Sequence, residues 1–404
     1  MKFEINRSEF ADAIARVNSC IAKGMGINNV MVEATDKDVR ISGVGGESSF
    51  LGVYSAEIGE KGICLTNAKK LLEFIKAMPG QTIFFGNVIV EKGEEIRYPS
   101  SIVVKGARSN VRLIAHLSET SEIEWPIVPN IPDNVFKKIP VSILKELVES
   151  THYAAEKENG SHSFVRQGIL FNFQNDGKII RVVASATTSI SMTQRELAEP
   201  VGFEAKFVLP NKCVDELQKL IAAAHEDENA LIAFHGNQFV VRYDNMTYFF
   251  RLIEGQDYPD ISERLPNKTG KQSFLTTKDL LAESLKRAML VFATLQSGVK
   301  FSTGKSEPEE GQPSDILEID CSDANVGEVH EQVRGTFLGN PIFVGINASA
   351  LIQIIANEPF SGPNGKNVVL EFGEDSMKPV MIFSEKDPNF KALIMPLRLI
   401  DTER

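Results

Sequence analysis

The sequence predicts an α+β fold made of three repeated domains, each with two helices and antiparallel sheets. Three observations carry that expectation. At 404 residues the chain is too long for one ordinary hydrophobic core. The order strand, helix, strands recurs twice in each third, although no residue-by-residue repeat is visible. Proline-rich joints, WPIVPNIPD at 125–133 and YPDISERLPNKTG at 258–270, separate the thirds. The expected domains are therefore 1–130, 131–268 and 269–404.

The first third opens with a strand at 2–5. A helix follows, with Phe10, Ala13, Ile14, Val17 and Ile21 at helical spacing, Ser8 as its N-cap and Gly24 as its stop. VMVEATDKDVRISG reads as a hairpin turning at 36–38. The second helix starts near Asn67 in TNAKKLLEFIKAMPG and ends at Pro79-Gly80, before the strands TIFFGNVIVEK, SIVVKG and NVRLIAHL. In the middle third the helices are PVSILKELVESTHYAAEK and PNKCVDELQKLIAAAH. Its strands are GILFNFQ, KIIRVVASATTSISMTQRE and ALIAFHGNQFVVRYDNMTYFFRLI. The last third has the helices TTKDLLAESLKRAMLVFAT and NASALIQIIANEP, with strands at LEIDC, NVVLEFG, PVMIFSE and FKALIMPL. A polar, acidic stretch, TGKSEPEEGQPSD at 303–315, reads as an exposed loop.

Composition excludes several classes. The chain is 43% hydrophobic and 24% charged, as globular proteins are, and has no apolar run of membrane-spanning length. The opening MKFEINRSEF lacks a signal-peptide core, so a cytoplasmic location is expected. Cys20, Cys64, Cys213 and Cys321 are far apart, form no CxxC pair and read as reduced, buried thiols. GVGGES at 43–48 leads into a strand pattern, not the helix N-terminus a phosphate cradle needs, and reads as a β-turn. The histidines fall in no metal-binding spacing, and the hydroxyl-rich SATTSISMTQ has no GxSxG. No catalytic residue, metal or cofactor is expected.

The net charge of −11 opposes non-specific attraction to nucleic acid, yet a local basic face can still follow phosphates. If each helix buries its apolar stripe, the opposite faces carry Arg16 and Lys23, then Lys69 and Lys76, Lys145, Lys212 and Lys219, and Lys286 with Arg287. The sixth helix carries no basic residue. Spacing alone favours an ordinary solvated helix face over one that tracks DNA.

Several segments, in collinear order along the whole chain, carry a resemblance: MKFEINRSEFADAIARV, FVLPNKCVDELQKL, FRLIEGQDYPDISERLP, FVGINASALIQII and the near-terminal MPLRL. They resemble the bacterial β sliding clamp family, the processivity subunit of DNA polymerase III. The resemblance implies three clamp domains per chain and two chains closing head to tail into a ring around double-stranded DNA, held without sequence specificity. It implies helices lining the hole, so that the basic positions above face DNA, with Phe164 at a further DNA-touching position. At the dimer interface it places Val111 and Leu113 on one side, Leu290 and Val291 on the other; composition reads these equally well as core residues.

The resemblance further implies a pocket for short linear peptides of DNA polymerase, clamp loader and repair proteins. Carried over position by position, that pocket involves Ser185, Thr187, Ile190, Pro259, Arg264, Asn347, Val380 and Leu393, together with Met395, Pro396, Leu397, Arg398 and Leu399. Apolar anchors of a peptide would bury against Ile190, Leu393, Met395 and Leu397. The chain departs from the family where a Thr-Asp-Gly-His-Arg-Leu type run is replaced by Ser185-Ala186-Thr187-Thr188-Ser189-Ile190. Arg166 stands where the family tends to be apolar, and residues 400–404 extend past the usual end. These departures imply an altered peptide preference. The altered 185–190 run and the acidic stretch at 303–315 also motivate a second reading, a clamp-like adaptor of a mobile element or phage serving one dedicated partner.

Overall fold

The computed structural model describes residues 1–21, 28–88, 101–117, 127–157, 163–255, 257–261, 264–265, 268, 271–291, 298–305, 315–323, 325–362 and 365–398. Helix α1 (Arg7–Ile21) follows directly from strand Lys2–Asn6. Its cap is Asn6, not Ser8: the Asn6 Oδ1 accepts from the backbone N–H groups of Ser8 and Glu9 at 2.9 and 3.2 Å. The last residue of a strand already has the extended backbone an N-cap needs. The predicted stop, Gly24, lies outside the described residues. Helix α2 (Ala68–Ala77) is capped by Asn67, whose Oδ1 accepts from Lys70 N at 2.9 Å. Pro79 and the left-handed Gly80 (φ 95°) then turn the chain away.

Helix α3 (Val141–Glu149) is shorter than its apolar spacing suggested. Buried Thr151 turns its hydroxyl back onto the Leu147 carbonyl at 2.8 Å, and the chain continues as a 3-10 turn, His152–Ala154. The predicted helix PVSILKELVESTHYAAEK therefore ends before His152. Helices α4 (Asn211–Ala222), α5 (Lys278–Met289) and α6 (Ala348–Ile355) follow; Asn347 caps α6 by accepting from Ala350 N at 3.0 Å. No helix among the described residues is long and apolar enough to cross a membrane.

Contacts divide the chain into two compact units. Residues 1–141 and 215–252 form the first, around a 13-stranded sheet. Within it Asn29–Ala34 and Asp38–Val44 pair as the predicted hairpin. The GVGGES segment is the tight turn into Ser48–Ser55, closed by Gly45 N on Ser48 O at 3.0 Å. That strand also pairs with Met246–Arg251, Phe50 opposite Tyr248, so a strand of the middle third joins the sheet of the first.

Residues 142–214 and 253–404 form the second unit, around a 12-stranded sheet. There Ser189–Glu196 pairs with Lys391–Ile394, Ile190 opposite Leu393. One face of this sheet packs on α5 and α6 through Leu281, Leu285, Leu351 and Ile354. The other face gathers a separate cluster of Val165, Val183, Ile190, Val208, Tyr258, Ile261, Leu265, Met381, Phe383 and Leu393. Strands alternate their side chains between faces, so each residue of Val380–Ser384 belongs to one layer or the other.

Candidate functional site

The second cluster is the candidate site. Ile190 and Leu393, directly opposite across two paired strands, form its floor at 4% and 1% exposure. Tyr258, Ile261 and Leu265 from the joint close one side, while Pro259 and Arg264 stand exposed beside them. Burial pushes the Tyr258 phenol upward, so it stays protonated.

At the rim, residues 186–189 make a turn: Ala186 N donates to Ser189 O at 2.8 Å, and Thr188 O accepts from Met395 N at 2.9 Å. Ser185 is buried, Thr187 exposed, and Met395 is 42% exposed. Pro396 and Leu397 are half-buried and Arg398 is exposed. Leu397 N donates to Gly345 O at 2.9 Å, and its Cδ1 lies over Gly298, where an added Cβ would sit 3.1 Å away.

Two predicted members sit elsewhere. Val380 faces the core under α5 and α6; its neighbour Met381 is the one that joins Ile190 and Leu393. Asn347 spends its side chain on the α6 cap. Leu399 lies outside the described residues. Sequence reading also missed Val165, Val208, Met381 and Glu156. The strand Val380–Ser384 is buried at every position and shows no alternation from which a face could be read.

The basic positions divide. Arg16 is half-buried and donates to Tyr248 OH at 3.1 Å. Lys219 Nζ reaches Glu216 Oε1 at 2.7 Å and Ser19 Oγ at 2.8 Å, and Arg287 donates to both Glu331 oxygens at 2.8 and 2.7 Å. Lys69, Lys76, Lys212 and Lys286 are exposed, Lys145 is half-buried, and Lys23 lies outside the described residues. Phe164 is 61% exposed on a 3-10 turn. Of the candidate interface residues, Val111 and Leu113 are half-buried on strand Ser109–Leu117 and Leu290 is 80% exposed. Val291, at 6%, is a core residue packed with Leu285 and Ala288, which removes it from an open surface.

Among the described residues no three His, Cys, Asp or Glu side chains are grouped to hold a metal. The Cys20 and Cys64 thiols are pushed up to about 12 by burial, the opposite of an activated nucleophile. A two-helix repeat whose sheets run on from one repeat to the next, with an apolar patch on one sheet face, is the architecture of a clamp fold.

Comparison with known proteins agrees. The family models of the DNA polymerase III beta subunit match its N-terminal domain to residues 1–97, its central domain to 138–260 and its C-terminal domain to 263–398. The chain belongs to this family, that of the bacterial sliding clamps, which are processivity factors and not enzymes. The beta sliding clamp of Streptococcus pneumoniae serotype 4 (strain ATCC BAA-334 / TIGR4) is 22% identical over 98% of this chain and 99% of its own. That of Bacillus subtilis (strain 168) is 20% identical over 98% and 100%. Among solved structures, the B. subtilis DNA polymerase sliding clamp aligns with a TM-score of 0.83 at 18% identity, covering 99% of both chains. The Pseudomonas aeruginosa DNA polymerase III subunit beta aligns at 0.80 with 20% identity, covering 99% of this chain and 100% of its own. These findings favour the clamp reading over the dedicated adaptor.

Proposed function

We propose that two copies of this chain close head to tail into a ring around duplex DNA and tether DNA polymerase, the clamp loader and repair proteins through short peptides. The carrying observation is a pair of open strand edges. Twice within the chain the last strand of one repeat pairs with a strand of the repeat before it: Met246–Arg251 with Ser48–Ser55, and Lys391–Ile394 with Ser189–Glu196. The last strand of the first third, Ser109–Leu117, pairs with Ser101–Gly106 and, through 115–117, with Gly62–Asn67. Its stretch 109–114 has no partner on the other side among the described residues. In the final third, Gly327–Leu338 pairs with Asp315–Asp323 and, at its far end, with Ser273–Thr277, which leaves 327–333 open on one side among the described residues.

A second copy supplies the missing strand to each edge, and a head-to-tail contact that closes makes a ring. Arg112 stands three residues after the start of its strand, as Phe249 does in Met246–Arg251, where it faces Ser49. Carrying that register across sets Arg112 beside Glu328, an attractive pairing of exposed charges. Val111, Leu113 and Leu290 supply apolar area to the same contact.

Inside such a ring, Lys69, Lys76, Lys145, Lys212 and Lys286 make weak, salt-sensitive phosphate contacts that carry no sequence information and permit sliding. Partner peptides dock on the Ile190–Leu393 cluster, with Ser185, Thr187, Pro259, Arg264 and the tail from Met395 to Arg398 at its rim. Tethering then raises a polymerase's local concentration at the primer end. The test is solution mass by light scattering, followed by retention on nicked circular and linearised DNA after loading. Twice the chain mass with retention on circles alone supports the ring; a monomer, or equal retention on both DNAs, rejects it.

A further inference from the structure

We propose that Glu156 is the positioning residue of the peptide-docking site: its buried carboxylate fixes the 186–189 turn, and through that turn the Met395 end of the tail. The inference rests on the peptide-docking reading above. Glu156 lies beyond the 3-10 turn that follows α3 and is only 9% exposed. Its Oε2 accepts from Thr187 N at 3.0 Å and from Thr187 Oγ1 at 3.1 Å. Its own backbone is held at both groups: N donates to Arg166 O at 2.9 Å, and O accepts from Asn211 Nδ2 at 2.8 Å. One residue along from Thr187, the Thr188 carbonyl receives Met395 N.

One residue thus connects four segments: its backbone holds the Phe164–Arg166 turn and the start of α4, and its side chain holds the 186–189 turn, whose Thr188 carbonyl receives the tail. A carboxylate taken out of water is costly unless hydrogen-bonded, so the folded chain keeps it here only while Thr187 is in place. The turn itself is short and rim-exposed, and gains its fixed geometry from this anchor. Thr187 and Met395 both stand exposed at the rim beside Ile190 and Leu393, so the affinity of a peptide lying on that floor depends on how firmly the rim is preset.

Both hydrogen bonds land on one oxygen, which separates the roles of charge and of acceptor. Glu156→Gln keeps a carbonyl oxygen able to accept both; Glu156→Ala removes it. The probe is the tightest-binding hexapeptide selected from a random library on the wild-type full-length chain, measured by fluorescence anisotropy. Removing the acceptor that holds Thr187 is expected to weaken capture by about tenfold or more in Glu156→Ala, with Glu156→Gln within about threefold of wild type. Amide exchange at Thr187 and Met395 should accelerate in the alanine variant alone, with solution mass and unfolding midpoint nearly unchanged in both. Wild-type affinity in Glu156→Ala overturns the proposal, as does equal weakening in both variants with unaltered exchange. A wild-type chain that selects no peptide while forming its ring overturns the docking reading itself, and the proposal with it.

Discussion

Where Met246–Arg251 runs beside Ser48–Ser55, the seam is aromatic. Phe50, Tyr248, Phe249 and Phe250 are almost wholly buried, with the Phe50 and Tyr248 rings 5.0 Å apart edge to face. At its periphery Arg242 lies 4.0 Å over the Phe136 ring and reaches Asp133, which is 93% exposed. Where Ser189–Glu196 runs beside Lys391–Ile394, the buried residues include Ser185, Ser189, Ser191 and Thr193. Tyr153 OH donates to Ser191 Oγ at 2.9 Å, which donates to Ser150 O at 2.7 Å. Arg195 bridges Glu146 and Asp387 at 2.6 Å each from a side chain only 13% exposed. Both seams bury small hydroxyl residues, but the first adds a cluster of large rings and the second a hydroxyl relay and a largely buried ion bridge. On the proposed docking, the aromatic seam only holds, while the second seam offers a shallow apolar floor to a partner peptide.

Truncating the floor of each seam should separate holding from docking. Phe249→Ala is expected to cost about 4 kcal/mol in urea denaturation and leave hexapeptide capture intact, whereas Leu393→Ala costs about 3 kcal/mol and weakens capture as well. Loss of capture in both would erase the distinction. The ion pairs sharpen it further. Arg195→Ala strands the buried Asp387 carboxylate and frees the half-buried Glu146, and should cost about 3 kcal/mol, while Arg242→Ala, facing an exposed aspartate, should cost about 1 kcal/mol or less.

Smaller effects separate engaged from open cations. Lys76→Ala should lower the salt slope of DNA retention by about 0.9, and Arg16→Ala, whose guanidinium is held by Tyr248, should barely move it. Smallest is a pH effect at the open edge. Asp320, 2.6 Å from His330 Nδ1, raises that imidazole above its ordinary 6.5, with Glu318 and Glu331 adding to the pull. A group raised on folding stabilises the protein below its unfolded value, and the contribution fades as pH climbs through the folded value. His330→Gln should therefore lower the unfolding midpoint slightly near about pH 5.5 and leave it unchanged near about pH 8.5. The reverse order would contradict the Asp320 pairing.

Much of this was legible in the sequence because it is local. Helical spacing placed α1, α2 and α4, and Asn67 and Pro79-Gly80 marked real ends. The misreadings came from competition that spacing does not encode. Asn6 out-competed Ser8 for the cap because it already ended a strand, and Thr151 broke α3 by turning its hydroxyl inward. The site was legible only by resemblance, and then at the wrong resolution for Val380. Arg195 meets Asp387 across 192 positions, and Glu156 meets Thr187 across 31, separations that no local pattern reports.

The central claim is that the open edges at 109–114 and 327–333 pair between copies, as two strand pairs do within one. Arg112→Glu and Glu328→Arg each set like charges together at that contact, so each alone should run as a monomer in light scattering. Mixed one to one, the two variants restore opposite charges at both contacts of a head-to-tail pair, and the mass should return to twice the chain. Dimers of either variant alone, at wild-type affinity, would show that these edges are not the interface.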